Sequence, residues 1–370
     1  MVSLIGSGGQ GPGKIMTHGC AATLSGTGEN MLTRRKFSML ASAGLTGLGA
    51  SRAHAAPSAA LVEAAKREGR VVVYSAYISP ISHGRIATAF EKAYGIKIEY
   101  LTARGGELRE RARIEQSAGR FLGDVQHTAS SVAAMTISVD KIVESHGGLP
   151  NAKRLKPAFA SRADDMQTPI FTINYGMLIN TAMVKPADEP KSWMDLLDPK
   201  WKGKILFDDP RTAGGGRVMF HMTMDKFGRG FHEKLAAQQP VFSRDYGEAA
   251  RRVARGEFAI YVPLILSEFA RLKGLPVKMV IPQEGVTYGS YSVSVLRNAP
   301  HPNAARLLCD FYLTDEVQEI YADTGHGIVI SDLKAKLSAE VAELADVKPL
   351  VAEDFTRIDE FLALAKEIYK

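Results

Sequence analysis

The sequence predicts an α/β protein with mostly parallel sheets flanked by helices. Helix and strand patterns alternate from residue 58 onward, starting with a helix at 58–68 and a buried strand at 70–74. Strand–loop–helix units in series are typical of a parallel sheet, and they bring the loops together at its carboxyl edge. The chain has 370 residues, which is enough for two lobes with sizeable cores.

The remaining elements follow from periodicity and from residues that stop helices. Gly69 and Gly95 end the first two helices, since glycine adopts left-handed backbone angles at little cost. Ser192 serves as the N-cap of a short helix that ends before Pro199. The other predicted strands lie at 96–100, 124–127, 168–180, 204–207, 258–262 and 286–296. The other predicted helices lie at 107–118, from 129, at 218–227 and around 227–237, at 302–313 and within 315–370.

Charge and cysteine content exclude several classes of protein. Residues 1–55 contain five of the 46 basic residues and one of the 40 acidic ones, which leaves 41 basic and 39 acidic residues in the remainder. This near balance gives no indication of nucleic-acid binding. The two cysteines are Cys20 and Cys309, so residues 56–370 cannot form an internal disulfide, and the pattern around Cys309 predicts a small core residue.

The first 55 residues predict export. Thr33-Arg-Arg-Lys-Phe37 resembles the twin-arginine motif, a weakly apolar run follows at 37–50, and Ala53-His-Ala55 is a small-residue cleavage site. Met31 is then the expected start and Ala56 the mature amino terminus, with export by the twin-arginine or the general route. We therefore expect a periplasmic protein with a cleaved signal peptide.

One run of residues resembles a known family. It comprises Asn174-Tyr-Gly-Met177, Lys185-Pro186, Pro190-Lys-Ser-Trp193, Leu196-Leu-Asp-Pro-Lys-Trp-Lys-Gly-Lys204 and Asp209-Pro210. This run resembles the periplasmic solute-binding proteins of ABC importers, and most of all the branch that includes the ferric-iron-binding proteins. The resemblance implies the two-lobed type II periplasmic-binding-protein fold, with two crossing strands between the lobes, and an inner-membrane ABC permease as partner.

The resemblance also sets the expected lobe boundaries. Lobe one is expected to contain residues 56–168 and 289–314, and lobe two to contain 169–288 and 315–370. The strands at 168–180 and 286–296 would cross between the lobes. Such a protein binds its ligand in the cleft and closes about these strands.

The loops that face the cleft predict the ligand type. The turn at 208–216 joins a strand to a glycine-rich helix start, where backbone N–H groups can hold a negative group. Arginines, hydroxyls and helix amino termini together suit a carboxylate or a phosphate. The candidate ligand-binding residues are Tyr77, Ser79, Arg104, Gly105, Gly106, Ser130, Ser131, Tyr175, Arg211, Thr212, Gly214, Tyr261 and Tyr288.

A metal or cofactor is not expected. The ferric-binding branch holds iron with adjacent tyrosines just after the strand that matches 258–262, whereas this chain continues as Pro263-Leu-Ile-Leu266. The seven histidines of residues 56–370 include no i, i+4 pair, so zinc is not indicated.

The favoured function is therefore capture of a small organic anion by a monomeric binding protein. Ferric iron, held by a different set of tyrosines, is the alternative within this class. An exported hydrolase or lyase on the same fold is the alternative from another class, but the sequence lacks a Gly-x-Ser-x-Gly elbow and a Walker loop. A sensor that docks on a membrane receptor is also compatible with the sequence.

Overall fold

The computed structural model describes residues 56–77, 79–160, 164–212, 214–333, 337–354 and 356–370. The predicted signal region at 1–55 lies outside these ranges. The described strands are β1 Arg70–Ser75, β2 Lys97–Thr102, β3 Val125–Ala129, β4 Val143–Glu144, β5 Thr168–Asn180, β6 Ile205–Asp208, β7 Val241–Ser243, β8 Ile260–Ile265, β9 Val277–Val280 and β10 Thr287–Leu296.

The described helices include the predicted ones and several more. They are α1 Ala59–Glu68, α2 Pro80–Tyr94, α3 Gly105–Ser117, α4 Ser130–Met135, α5 Pro157–Ala160, α6 Gly215–Phe227, α7 Arg229–Ala237, α8 Tyr246–Ala254, α9 Pro302–Phe311, α10 Asp315–Asp323, α11 Ala339–Ala345 and α12 Ile358–Ile368. Short 3-10 turns and one π-helical turn at Thr136–Asp140 complete the described elements.

The described strands form one mixed sheet in the order β2-β1-β3-β10-β5-β8-β6-β7. Strands β1, β2 and β3 are parallel to one another, as are β6, β7 and β8. The long strands β5 and β10 run antiparallel to their neighbours and join these two parallel groups. We call the part built on β1–β3 lobe one and the part built on β6–β8 lobe two. The predicted fold, two mostly parallel lobes joined by crossing strands, is confirmed.

Local capping explains why the helix boundaries agree with the sequence. The Ser58 hydroxyl accepts a hydrogen bond from the Leu61 N–H at 3.2 Å, and Gly69 and Gly95 end α1 and α2 with φ of 72° each. Ser192 and Asp195 form a reciprocal capping box. The element that follows Ser192 is a 3-10 helix, Trp193–Leu197, rather than an α-helix.

The core lies on both faces of the sheet and includes both tryptophans. Trp193 is fully buried, and its indole N–H donates to the carbonyl oxygen of Gly285 at 2.9 Å. Cys309 is fully buried on α9 and is free, which confirms the core role predicted for it. Within the described ranges, no helix has both the length and the apolar character needed to cross a membrane.

The carboxyl-terminal third returns to both lobes. Helix α10 packs on α2, and the Arg85 guanidinium pairs with Asp323 at 2.9 Å. Helix α10 therefore packs on lobe one, and the assignment of most of 315–370 to lobe two stays a prediction. Residues 348–350 then lie beside the start of β10, since the Leu350 N–H donates to the Val286 carbonyl at 2.8 Å. Helix α12 packs on α6 and α7 in lobe two, so this segment crosses between the lobes a third time.

Candidate functional site

The glycine-rich turn before α6 uses its backbone amides within the protein. The Gly216 N–H donates to the Asp208 carboxylate at 2.5 Å, and the Gly215 N–H donates to the Tyr246 hydroxyl at 2.7 Å. Burial raises the pKa of Asp208 to about 6, although hydrogen bonds from the Gly216 N–H and from the Tyr246 hydroxyl oppose that shift. Asp208 therefore caps α6 at the position where the sequence predicted a ligand anion. Gly214, with φ of 157°, lies against Tyr246 and Asp208.

Arg211 is held by its own turn. Its Nε donates to Asp209 at 2.8 Å, its Nη1 donates to the Tyr369 carbonyl at 3.0 Å, and its guanidinium lies over the Phe242 ring. Thr212 donates its hydroxyl to the Asp209 carbonyl at 3.2 Å. Arg211 and Thr212 therefore both have hydrogen-bond partners inside lobe two. Contact of either residue with a ligand stays a prediction.

A cavity of about 50 Å³ lies between the two lobes, bounded by α4 on one side and α6 on the other. Lobe one contributes Ser131, as predicted. From α6 come Arg217, His221 and Asp225, whose spacing of four residues places them on one face of the helix. The remaining walls are Val218, Met222, Glu353, Asp354 and Ile358.

Arg217 is the cation of this cavity. Burial lowers the pKa of its guanidinium, while the charges of Asp359 and Tyr175 act in the opposite direction. Among the described residues it has no hydrogen-bond or ion-pair partner. Burial and the charge of Arg217 lower the pKa of neighbouring His221 to about 4, so this imidazole is neutral at pH 7. A partly buried, unpaired guanidinium is a binding group for an anion.

Tyr175 on β5 does not line this cavity but packs behind it, against the start of α6. Its ring touches the start of α6, since a Cβ placed on Gly215 would be 2.8 Å from its Cε1. Burial raises the pKa of its hydroxyl well above the ordinary value, and Tyr246, Tyr291, Asp208 and Glu353 add to that shift. These groups surround Tyr175, which is itself buried.

Glu353 joins the third crossing segment to lobe one. Its carboxylate accepts hydrogen bonds from the Ser290 N–H, at 3.2 Å, and from the Ser290 hydroxyl. The Ser290 hydroxyl also lies 2.7 Å from that of Ser130, which in turn is 2.5 Å from the Ser292 hydroxyl. The predicted residue Tyr288 takes part, because its hydroxyl accepts the Glu353 N–H at 3.2 Å.

The other candidates from lobe one do not line this cavity. Tyr77 is buried in an aromatic cluster with Phe171 and His326, and its hydroxyl lies 3.1 Å from that of Ser82. Ser79 caps α2. Arg104 is exposed just before α3, and Gly105 and Gly106 begin that helix.

Tyr261 lies beside a different cavity, a groove of about 690 Å³ that is formed by lobe two alone. Its hydroxyl is buried and has no hydrogen-bond partner in the described ranges. The groove also contacts Tyr246, Leu264 and Leu272. Binding in this groove would not involve lobe one and could not by itself drive closure of the cleft.

The described residues contain no cluster of three or more histidine, cysteine or carboxylate side chains suited to a metal ion. Ile265, the last residue of β8, is half-buried, and Leu266 after it lies in the core; neither side chain can ligate a cation.

Comparison with known proteins agrees with this architecture. A model of the bacterial extracellular solute-binding protein family matches residues 144–351, which include both crossing strands and α6. The chain belongs to this family. Its members bind solutes, and the cavity between α4 and α6 is lined by residues of both lobes.

Individual relatives differ in the ligand for which they are named. A putative 2-aminoethylphosphonate-binding periplasmic protein of Salmonella typhi is 25% identical over 65% of this chain and 72% of its own length. A spermidine/putrescine-binding periplasmic protein of Salmonella typhimurium is 25% identical over 84% of this chain and 89% of its own. Iron-bound HitA from Pseudomonas aeruginosa superposes with a TM-score of 0.63 at 20% identity, covering 81% of this chain and 99% of HitA, which shows a shared fold.

Proposed function

We propose that this solute-binding protein captures a small organic anion of the carboxylate or phosphate type between its lobes. It would deliver the anion to an inner-membrane ABC permease. The protein would act as a monomer in the periplasm, after cleavage of its signal peptide near Ala56, and would bind neither nucleic acid nor a cofactor. The ligand would leave chemically unchanged, so the protein is not an enzyme.

The observation that carries this proposal is the position of Arg217. Its guanidinium is partly buried, faces a cavity bounded by both lobes and lacks a partner in the described part of the chain. An anion on Arg217 would give its guanidinium a charge-assisted hydrogen bond. The Ser131 hydroxyl from lobe one can bond to the same anion.

Contacts from both lobes would couple binding to closure. A ligand favours the closed state only when it interacts better with that state than with the open one. The cavity of about 50 Å³ is little larger than one or two water molecules, so entry of a ligand requires the lobes to separate. Strands β5 and β10 are placed to permit this movement, since they connect the two parallel groups.

The direct test has two steps. Native mass spectrometry of protein purified from its own periplasm would detect an anion that co-purifies. Calorimetric titration with that anion would then give one site per chain, and the anion would be recovered intact after prolonged incubation. A neutral ligand, or conversion of the ligand to a product, would contradict the proposal.

Ferric iron is the second candidate, and one observation favours it. Three tyrosines, Tyr175, Tyr246 and Tyr291, lie near the carboxyl groups of Asp208 and Glu353, and such oxygen donors suit a hard cation. The charge of Arg217 close to Tyr175 opposes this reading. Iron bound by tyrosinate would give the protein a visible absorbance band after addition of ferric citrate, whereas an anion site would leave it colourless.

A further inference from the structure

The amino terminus of α3, in lobe one, is not capped by the described residues. Arg104 occupies the N-cap position, but its side chain makes no capping hydrogen bond. The N–H groups of residues 105–107 have no acceptor in the described ranges. By contrast, Asp208 and Tyr246 accept hydrogen bonds from the first N–H groups of α6. Because α3 has 13 residues, its uncapped N–H groups form the positive end of a full helix dipole.

A buried hydroxyl group lies against this helix end. Thr128 on β3 is 1% exposed, and its Oγ1 has no hydrogen-bond partner among the described residues. A Cβ placed on Gly105 would be 3.1 Å from this oxygen, so the hydroxyl lies beside the first turn of α3. A buried hydroxyl without a partner costs free energy. The position of Thr128 therefore indicates a polar group that binds at the start of α3.

The residues around the helix end leave it open to an anion from outside. Arg104 is exposed and forms no ion pair within the described part of the chain. At Gly106 nothing lies within 4 Å of an added Cβ, so the backbone of the first turn can be approached closely. Glu107, the acidic residue of this turn, is exposed and caps none of its N–H groups. Solvent and salt screen the charge of an exposed carboxylate, so Glu107 opposes an anion only in part.

We propose that the start of α3 is a second anion site, which binds a tetrahedral oxyanion of the phosphate or phosphonate type. The available donors are the N–H groups of residues 105–107, the Thr128 hydroxyl and the Arg104 guanidinium. A phosphate group offers more acceptor oxygens to this set of donors than a carboxylate does. The inference does not depend on the anion site at Arg217.

The proposed site belongs to lobe one alone. A Cβ on Gly105 would lie 3.6 Å from Val132 of α4, whereas the neighbouring Ser131 lines the cavity between the lobes. Successive residues of a helix point about 100° apart, so the start of α3 and the cavity contact different faces of α4. An anion at α3 requires no movement of the lobes, and inorganic phosphate should therefore leave the radius of gyration unchanged.

The test uses inorganic phosphate at physiological ionic strength. NMR would follow the amide signals of residues 105–107 during the titration, and calorimetry would give the affinity. We expect these amide signals to shift and Arg104→Ala to weaken binding at least about tenfold. Thr128→Val keeps the shape of the side chain and removes the hydroxyl. We expect it to weaken binding about two- to tenfold without lowering the melting temperature, because the hydroxyl has no partner to lose among the described residues.

The control is Arg113→Ala, which removes an exposed guanidinium from the same helix and should leave phosphate affinity unchanged. Competition between phosphate and the co-purifying anion would assign the site to a phosphate group of that ligand, whereas independent binding would assign it to free phosphate; both results support the site. Amide signals of residues 105–107 that do not shift, or an affinity that neither Arg104→Ala nor Thr128→Val lowers, would overturn the inference. Phosphate binding that only Arg217→Ala abolishes would also overturn it, while supporting the anion site between the lobes.

Discussion

Arg211 and Asp209 form an ion pair in which Nε and Oδ1 are 2.8 Å apart, and Asp209 is 2% exposed. A second arginine, Arg244, binds the other carboxylate oxygen at 2.9 Å. Six residues after Arg211, Arg217 faces the cavity, and no residue in the described ranges forms such a pair with it. We therefore expect the ion pair of Arg211 to contribute to folding and Arg217 to contribute to binding.

Replacement of Arg217 should weaken binding without unfolding the protein. Arg217→Ala would leave the ligand anion in a partly buried site without its cation, at a cost of about 2–5 kcal/mol. Arg217→Lys should recover part of this loss, because an ammonium keeps the charge but not the planar fork. Calorimetry on both variants would measure the change, with Arg113→Ala, which removes an exposed guanidinium from α3, as the control. Wild-type affinity in Arg217→Ala would place the anion elsewhere.

Replacement of Asp209 should instead destabilise lobe two. Burial alone would raise the pKa of Asp209, but the hydrogen bonds from Arg211 and Arg244 hold this pKa below its ordinary value. Asp209→Ala would remove a buried partner of two guanidinium groups, at a cost of about 3–5 kcal/mol. A lowered pKa stabilises the folded state above about pH 4 and ceases to do so as the pH falls through the folded value. Urea titrations would measure the free energy of unfolding of the variant and the wild-type protein. The difference between the two proteins should be large at pH 7 and smaller at pH 3.

Buried histidines should make the protein sensitive to mild acid. His127 is fully buried, and burial followed by the charge of His83 lowers its pKa to about 3. Because unfolded histidine binds its proton near pH 6.5, stability is constant above that pH and falls below it, by about 2 kcal/mol per such histidine between pH 6.5 and 5. The raised pKa of Asp208 acts in the opposite direction over part of this range.

Denaturation curves at pH 7.5, 6.5, 5.5 and 5.0 would measure this slope. His127→Gln removes one titrating group and should give a shallower dependence on pH than the wild-type protein. Identical stability of the wild-type protein at pH 7.5 and 5.0 would show that these imidazoles titrate normally in the folded state.

The start of α6 should tolerate no side chain at Gly216. A Cβ there would overlap the carbonyl oxygen of Asp208, which is backbone and cannot move aside cheaply. We expect Gly216→Ala to destabilise the fold by about 1–3 kcal/mol. Gly84, exposed in the middle of α2, has nothing within 4 Å of such a Cβ, so Gly84→Ala should stabilise by about 0.5–1 kcal/mol. Thermal unfolding would compare the stability of each variant with that of the wild-type protein.

Binding should compact the molecule. If β5 and β10 act as the hinge, small-angle X-ray scattering should give a smaller radius of gyration at saturating ligand than without it. An unchanged radius at full occupancy would indicate that the ligand enters without closure.

Local signals let the sequence predict most elements of the fold. Strand β5 has the predicted bounds, and Ser58, Gly69 and Gly95 end their helices as expected, because each cap depends on a few adjacent residues. The three-residue strand β7 and helix α8 were missed, since β7 is too short to show periodicity.

The site was less predictable because its groups come from distant parts of the chain. Arg211 was selected for its place in a glycine-rich turn, but Asp209, two residues earlier, is its partner. The spacing of Arg217, His221 and Asp225 at four-residue intervals was the available signal for a polar face on α6. Glu353 had no local signal, because its position depends on the third crossing of the chain between the lobes.

The burial of Cys309 has a practical consequence for fluorescence work. It is the single cysteine of residues 56–370, it is fully buried, and burial raises the pKa of its thiol. Maleimide dyes react with exposed thiolates and should leave this residue unmodified. Ile81, at the start of α2, is 69% exposed, so a cysteine substituted there would carry the only dye on a protein that comprises residues 56–370. A protein labelled in this way could report ligand capture by fluorescence, without removal of any native thiol.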